Sequence, residues 1–188
     1  MKKGKLIVVS GPSGVGKDTV VSKYLEKHPE DQISISMTSR PMRDGEVDGV
    51  NYYFKTKEGF EEAIKNNDLL EFALYNGNYY GTPKSEVEKR IENGINVILV
   101  IEVVGAANVK KMMKDDCTLI FIMPPSMEEL KNRLINRGTD SKESIDGRLD
   151  IAKKEIETSK IYDYKIVNDD LEKAVNELEI IIKTNIKD

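Results

Sequence analysis

The chain alternates between short, nearly continuous hydrophobic runs and segments in which hydrophobic residues recur at helical spacing. The runs at 95–101 and 118–123 contain few polar residues, which is typical of strands buried on both faces of a sheet. Residues 6–10 form a similar run, 164–168 form a weaker one, and an amphipathic helix is predicted at about 16–27. This alternation predicts an α/β fold in which a mainly parallel sheet is covered by helices on both faces, giving three layers.

Capping chemistry marks the starts of two further helices. Ser126 begins a capping-box pattern after two prolines. Thr82 and Pro83 are predicted to open another helix, which Gly94 is expected to close. The segment at 170–183 carries its hydrophobic residues on one face and is expected to pack on the sheet as a helix.

Residues 32–82 interrupt the alternation. They contain "QISISMTSR", "NYYF" and "LLEFALY", which are strand-like, and the tight-turn signal "NGN" at 76–78. We predict a small β-rich lobe at about 32–82 and, from a polar, glycine-bearing segment between two helices, a lid at about 137–148. The core of this single domain would then comprise about 1–31, 83–136 and 149–188.

Composition narrows the possible functions. The chain has 188 residues, with 29 Lys plus Arg against 33 Asp plus Glu, so its net charge of −4 offers no general attraction for nucleic acid or anionic membranes. Cys117, the only cysteine, excludes an intrachain disulfide and is expected to be a buried thiol. The run at 6–9 is too short for a signal peptide, and no segment is apolar enough to cross a membrane. We expect a soluble, cytoplasmic protein.

A glycine-rich segment, "GPSGVGKDT", stands between the first predicted strand and the first predicted helix. Glycines let backbone N–H groups converge on phosphate oxygens, the helix N-terminus adds its positive end, and Lys17 adds a full charge. We interpret this segment as the P-loop of a P-loop NTPase core; the alternative is a glycine-rich turn with an exposed lysine. Its candidate ATP-binding residues are Gly11, Pro12, Ser13, Gly14, Val15, Gly16, Lys17, Asp18 and Thr19.

Asp18 is the unusual member of this loop. P-loops normally carry a hydroxyl at this position, which touches Mg²⁺. A carboxylate is also a hard oxygen ligand, although it adds negative charge beside the polyphosphate. Asp18 is therefore a candidate metal ligand, whereas the following Thr19 is better interpreted as an ordinary first-turn residue.

The predicted lobe contains a second candidate anion site. Arg40 and Arg43 lie three residues apart, with Tyr52 and Tyr53 shortly after them. Two guanidinium groups beside phenol hydroxyls are suited to binding a phosphate dianion through charge-assisted hydrogen bonds. An isolated arginine pair is usually a solvated surface feature, but the neighbouring P-loop favours phosphate binding here.

Glu71 is a carboxylate within the otherwise apolar strand "LLEFALY". A buried carboxylate requires a partner. Guanine offers one, because its N1–H and N2 amino group are adjacent donors, a pair that adenine lacks. The alternative, an outward-facing edge residue, is equally compatible with the spacing.

Several segments together resemble the guanylate kinase family. In order along the chain they are "GPSGVGK", "TSRPMRDGEVDGVNYYF", "NYYGTP", "RLINRGT" and "VNDDL". The likeness extends roughly from Lys5 to Ile182, and the arginine-bearing segment and "NYYGTP" are far more specific than the P-loop. It implies a P-loop NTPase core with an inserted GMP-binding lobe and a helical lid.

The resemblance also implies roles for individual residues. The GMP-binding positions would be Arg40, Arg43, Tyr52 and Tyr80 on the phosphate and Ser36, Glu71 and Thr82 at the base, with Glu102 as an acid near the guanine and the metal. The arginines that clamp the transferred phosphoryl group would be Arg133, Arg137 and Arg148, and Asn168 would lie near the adenine of ATP.

The chain departs from the family pattern near Glu102. The family's acid-x-acid-x-Gln-Gly pattern is "VIEVVG" here, so that Val100 replaces an acid and Val104 replaces a glutamine. Asp18 is also unusual, since members of the family commonly carry Ser, Thr or Gly at that position. We hypothesise that Asp18 compensates in part for the acid missing at Val100.

The implied reaction is transfer of the γ-phosphoryl group of ATP, with Mg²⁺, to GMP and by extension to dGMP. GMP already presents an anionic oxygen as nucleophile, so no catalytic base is needed. His28, the only histidine, is accordingly expected to be solvated or to compensate a helix dipole. The alternatives are a non-catalytic module of the same fold that binds proteins, and a kinase for another acceptor. A regulatory GTPase is disfavoured because the chain has no NKxD motif.

Overall fold

The computed structural model describes residues 3–75, 77–136 and 142–185. Its strands are β1 (Leu6–Ser10), β2 (Gln32–Ile33), β3 (Met37–Thr38), β4 (Tyr53–Phe54), β5 (Leu69–Tyr75), β6 (Asn78–Pro83), β7 (Val97–Val100), β8 (Cys117–Met123) and β9 (Tyr164–Val167). Its α-helices are α1 (Lys17–Lys27), α2 (Lys57–Lys65), α3 (Lys84–Glu92), α4 (Val103–Met113), α5 (Met127–Asn136), α6 (Lys142–Thr158) and α7 (Leu171–Asn185).

Five parallel strands form the central sheet, in the order β2-β7-β1-β8-β9. Within β1, Val8 pairs with Leu99 on one side and with Leu119 on the other. Every residue of β1 is buried, because helices cover both faces of the sheet and neither face is left for polar residues. The four strands predicted from the hydrophobic runs are confirmed.

Alternate residues of β1 point into two separate hydrophobic layers. Ile7 and Val9 belong to a layer built with side chains of α1, α5, α6 and α7. Leu6 and Val8 belong to a second layer, on the opposite face, built with side chains of α3 and α4. The predicted three-layer α/β architecture is therefore confirmed.

A second sheet, in the order β4-β3-β6-β5, lies within the predicted lobe. The hairpin β5–β6 pairs Tyr75 with Asn78, and Gly77 between them has a φ of 77°, as expected for glycine in a tight turn. The first residue of the predicted turn signal, at position 76, lies outside the described residues. β2, expected at the start of the lobe, instead pairs with β7 in the central sheet. The division into core, lobe and lid stays a prediction.

Two helices have no counterpart among the sequence-based predictions. The helix α2 carries the buried Phe60 beneath the second sheet, against Met37 and Leu69, and begins where the Thr56 hydroxyl accepts a hydrogen bond from the Gly59 N–H at 3.1 Å. The helix α4 follows β7 so closely that both lie within one apolar stretch of sequence.

The predicted helix ends are confirmed in two cases and wrong in one. Ser126 accepts a hydrogen bond from the N–H of Glu129 at 3.0 Å and so caps α5. Gly94, with φ 82°, follows the last turn of α3. Thr82 does not cap α3, because the residue at that position is Pro83 and Thr82 belongs to β6; its hydroxyl is bonded to Glu71 instead.

The structure also tests the environments predicted for the only cysteine and the only histidine of the chain. Cys117 is buried, as predicted, and burial raises the pKa of its thiol. His28 lies at the C-terminal end of α1, where a dipole-compensating residue is expected, but its side chain is 14% exposed and stacks on Tyr24 instead of being solvated. Among the described helices, none is long and apolar enough to cross a membrane.

Candidate active site

The P-loop connects β1 to α1 and is hydrogen-bonded by the side chain of Asn168, which follows the edge strand β9. Gly14 and Gly16 have φ values of 83° and 92°, which favour glycine. A Cβ atom on Gly16 would lie 2.7 Å from Nδ2 of Asn168. That amide donates to the Val15 carbonyl at 2.8 Å and so stabilises the loop. Lys17 directly after the loop is the first residue of α1.

Two of the three predicted arginines lie against this loop. The Arg148 guanidinium, on α6, donates to the Ser13 hydroxyl at 2.7 Å. Arg133, on α5, donates to Glu129 at 3.1 Å and reaches the Val15 carbonyl at 3.4 Å. The third, Arg137, lies outside the residues that the structure describes, as do all of 137–141 in the predicted lid, whose remainder forms the start of α6.

A cavity of about 210 Å³ joins the first turn of α1 to the lobe. It is lined by Asp18 from the helix, by Ser36, Tyr52 and Thr82 from the lobe, and by Val100 at the end of β7. Asp18 and Thr19 are both exposed, but of the P-loop residues Asp18 is the one that lines the cavity. The carboxylate of Asp18 and the apolar side chain of Val100 therefore share one cavity, as the compensation hypothesis requires.

Arg40 is engaged by a residue that the sequence-based prediction missed. Its guanidinium donates twice to the Glu46 carboxylate, at 2.7 and 3.0 Å. It also lies 5.5 Å from the ring centroid of Tyr52, whose ring contacts that of Tyr80 edge-on at 6.0 Å. Three of the four residues predicted to bind phosphate are thus gathered together, and the fourth, Arg43, has an exposed side chain in the same loop.

Glu71 is buried, which rules out the outward-facing alternative. Its side chain is 9% exposed, and the Thr82 hydroxyl donates to Oε1 at 2.7 Å. Burial raises the pKa of Glu71, and this hydrogen bond partly opposes the rise. A Cβ atom on Gly105, in the first turn of α4, would lie 2.9 Å from Oε2. The Glu71 carboxylate therefore fits because residue 105 has no side chain.

A larger cavity, of about 410 Å³, borders the other side of β5. Besides Glu71 its lining includes Phe72, Asn108 and Met112, and Lys111 is its one cationic side chain. Binding a phosphate dianion requires converging cations. The smaller cavity is lined by Tyr52, against whose ring the Arg40 guanidinium lies, and this adjacency, not a cation in its own lining, makes it the better candidate for a phosphorylated acceptor.

A pair of carboxyl groups lies beside Lys17. Glu102, the N-cap residue of α4, interacts with Glu155 of α6. Burial and the neighbouring Glu102 raise the pKa of Glu155 to about 7, while the Lys17 ammonium opposes the rise. Glu155 is therefore about half protonated near neutral pH, and in its protonated form it can donate to Glu102. No motif pointed to Glu155, because its partners come from distant parts of the chain.

Comparisons with known sequences point to one family. The family model described as guanylate kinase matches residues 3–185. The chain is 52% identical over 183 residues to a guanylate kinase of Oceanobacillus iheyensis, covering 97% of this chain and 88% of that one. It is 53% identical over 180 residues to a guanylate kinase of Clostridium perfringens, covering 96% and 83%.

A solved structure supports the same assignment. The crystal structure of guanylate kinase from Anaplasma phagocytophilum superimposes with a TM-score of 0.76 at 36% identity, covering all of this chain (100%) and 88% of that one. The match therefore includes the P-loop, the lobe and α6 together. By sequence and by structure, this chain belongs to the guanylate kinase family.

Proposed function

We infer that this chain transfers the γ-phosphoryl group of ATP to GMP, giving ADP and GDP, as membership of the guanylate kinase family implies. The observation that carries the residue assignments is the cavity shared by the P-loop helix and the lobe, lined by Asp18, Ser36, Tyr52 and Thr82. A donor and an acceptor nucleotide bound on its two sides would bring their phosphates together. Holding reactants in this way accounts for much of the catalysis in phosphoryl transfer.

The acceptor base would be recognised by the buried Glu71. Its Oε1 accepts from Thr82, and Oε2 accepts no hydrogen bond from any described residue. An ionised carboxylate here can accept from both N1–H and the N2 amino group of guanine, with Ser36 and Thr82 nearby as hydroxyl partners. Adenine offers no such pair of donors, and its ring nitrogen would face the carboxylate unfavourably.

The acceptor phosphate would lie against Arg40, Arg43, Tyr52 and Tyr80. The guanidinium groups supply charge-assisted hydrogen bonds, and the phenol hydroxyls donate to the remaining oxygens. The roles assigned to these residues concern the phosphate and the base, and none requires the 2′-hydroxyl of the sugar. We therefore propose that dGMP is accepted as well as GMP.

The donor triphosphate would occupy the P-loop. The backbone N–H groups from Ser13 to Thr19 would surround its phosphates, and Lys17 would reach the β and γ groups. We propose that Arg133, Arg137 and Arg148 neutralise the charge that spreads over the transferred group, because such arginines act mainly on the transition state. Asn168, which braces the loop, would border the adenine-binding side.

Mg²⁺ is the cofactor that this chemistry implies. Among the described residues there is no group of three or more His, Cys, Asp or Glu side chains placed so that they could hold a metal ion by themselves. That arrangement fits an ion held chiefly by substrate phosphates and one or two carboxylates, as Mg²⁺ usually is. Asp18 would be one ligand and Glu102 a second candidate, and the bound ion would supply charge neutralisation between the phosphates.

The residues of the chain otherwise bind, orient and exclude water. GMP needs no general base, since its phosphate is already an anionic nucleophile at neutral pH. Lys17 and the arginines hold the two anionic groups in line, against their mutual repulsion. We further propose that the protein acts in the cytoplasm, on free nucleotides instead of nucleic acids or membranes.

The test is an ADP-release assay with ATP and Mg²⁺ in which GMP, dGMP, AMP, UMP and CMP are offered separately. We expect activity with GMP and dGMP alone, and a loss of at least about 100-fold in kcat/KM for GMP in Glu71→Gln. Equal activity with AMP, or an unchanged kcat/KM in that variant, would refute the role assigned to Glu71. A matched control is Glu61→Gln, which removes a carboxylate from α2 in the same lobe.

A further inference from the structure

The side chain of Glu46 holds both of the arginines expected to bind the acceptor phosphate. Its two oxygens accept from Nη2 and Nη1 of Arg40, at 2.7 and 3.0 Å. Its Oε2 also accepts from the backbone N–H of Arg43 at 2.7 Å, and its own N–H donates to the Arg43 carbonyl at 3.1 Å. One carboxylate thus connects the side chain of the first arginine to the backbone of the second.

The pair is largely shielded from solvent. The side chains of Arg40 and Glu46 are 11% and 19% exposed, and the guanidinium lies 5.5 and 5.6 Å from the ring centroids of Tyr52 and Phe54. The hydrogen bonds from Arg40 and from the Arg43 backbone hold the pKa of Glu46 below its ordinary value. Glu46 is therefore ionised at neutral pH and confines Arg40 to one orientation.

In that orientation Glu46 does not contact the Nε–Nη2 edge of the guanidinium. The group has five N–H donors. Nη1 donates to Glu46 and, at 2.7 Å, to the Pro41 carbonyl, and Nη2 donates once to Glu46. Neither Glu46 nor Pro41 uses the N–H of Nε or the second N–H of Nη2, and these two point the same way from one edge of the group. The Tyr80 hydroxyl, also predicted to bind the phosphate, interacts with the guanidinium as well. Such an edge binds two oxygens of a phosphate side by side.

We propose that Glu46 is a positioning residue for the acceptor phosphate, orienting the Nε–Nη2 edge of Arg40 towards the acceptor site before GMP binds. This inference rests on the proposed role of Arg40 as a phosphate ligand. Preorganising a long side chain lowers the entropy lost on binding. Glu46 acts through Arg40 and the Arg43 backbone and touches no reacting atom.

Charge alone predicts the opposite effect. A carboxylate close to the acceptor repels a phosphate dianion and neutralises one of the two arginine charges. If Glu46 were only such a competing anion, its removal would tighten GMP binding. If Glu46 positions Arg40, its removal weakens binding despite the gain in positive charge. The sign of the change therefore distinguishes the two roles.

The experiment compares wild type with Glu46→Ala, Glu46→Gln and Glu46→Asp, with Asp44→Asn as the control. Asp44 is an exposed carboxylate of the same loop, so its substitution changes the net charge of the loop equally. We expect KM for GMP to rise about tenfold or more in Glu46→Ala, with KM for ATP unchanged and kcat at saturating GMP within about threefold. Glu46→Gln should lie between, because its amide retains one acceptor oxygen, and Glu46→Asp should recover part of the affinity.

Calorimetric binding of GMP and of guanosine separates positioning from damage to the lobe. Guanosine has the base but no phosphate, so its affinity should be the same in wild type and in Glu46→Gln, while GMP binds more weakly. In the background of Arg40→Ala, adding Glu46→Ala should cause little further loss, because the two residues act as a unit.

Three results would overturn the proposal: an unchanged or lower KM for GMP in Glu46→Ala, an equal loss for guanosine and GMP, or additive losses in the double variant. A wild-type protein that fails to phosphorylate GMP would instead refute the proposed function. The two failures are thus distinguishable.

Discussion

Replacing Glu155 by glutamine should change how the stability of the protein depends on pH. The folded protein raises the pKa of this carboxyl from 4.5 to about 7, through burial and the adjacent Glu102. Between these values the folded state retains a proton that the unfolded state has released. Stability contributed by this proton is complete below about pH 4.5 and is lost as the pH rises through 7.

The magnitude follows from the two pKa values. A difference from 4.5 to about 7 corresponds to at most about 3 kcal/mol of unfolding free energy at pH 8, at about 1.4 kcal/mol for each unit. The glutamine amide is always neutral and can still donate to Glu102. We therefore expect Glu155→Gln to match wild type near pH 4.5 and to be about 2–3 kcal/mol more stable near pH 8.

Urea unfolding at pH 5, 6, 7 and 8, at constant ionic strength and without nucleotide, measures this difference. The control is Glu157→Gln on the same helix, whose exposed side chain should give a curve parallel to that of wild type. If the curves of wild type and Glu155→Gln also stay parallel from pH 5 to 8, Glu155 does not retain a proton in the folded state and the reasoning is wrong.

Three further predictions concern single side chains. Gly105→Ala should raise KM for GMP about tenfold, because the added Cβ would lie 2.9 Å from Oε2 of Glu71 and displace the end of that side chain. The melting temperature should stay within a few degrees of wild type, because alanine favours the helix. An unchanged KM would show that the carboxylate can move without loss of GMP binding. Ser126→Ala should cost about 1 kcal/mol, or about 2–4 °C in melting temperature by calorimetry, through loss of the α5 cap, and no change would mean that another group replaces it. Asp18→Gly should raise the Mg²⁺ concentration for half-maximal activity several-fold, whereas an unchanged metal dependence in both Asp18→Gly and Asp18→Ser would remove the compensation hypothesis.

The sequence predicts secondary structure correctly where one interaction, such as burial of hydrophobic side chains, determines the element. The central strands are buried on both faces, so hydrophobicity alone marks them. The helix α4 was missed because it follows β7 within a single apolar stretch, where neither hydrophobic period stands out. A hydroxyl before a proline suits a helix cap locally, so the sequence favours Thr82 in that role, but in the fold the same hydroxyl donates to the buried Glu71.

The site divides in a similar way. The P-loop is contiguous in sequence and its chemistry depends on local backbone shape, so its spacing was sufficient to identify it. The carboxyl pair near Lys17 joins Glu102 and Glu155, 53 positions apart. The space for Glu71 depends on the absence of a side chain at Gly105, on a different element. Neither feature leaves a pattern along the chain.

The layered α/β core, the P-loop and the residues that resemble a GMP site could all be predicted from the chain, because hydrophobic period, backbone freedom of glycine and motif spacing are local properties. The pairing of Arg40 with Glu46, the burial of Glu71 and the raised pKa of Glu155 come from the folded arrangement. Those properties depend on distances between remote residues and on the exclusion of water, which exist only once the chain has folded.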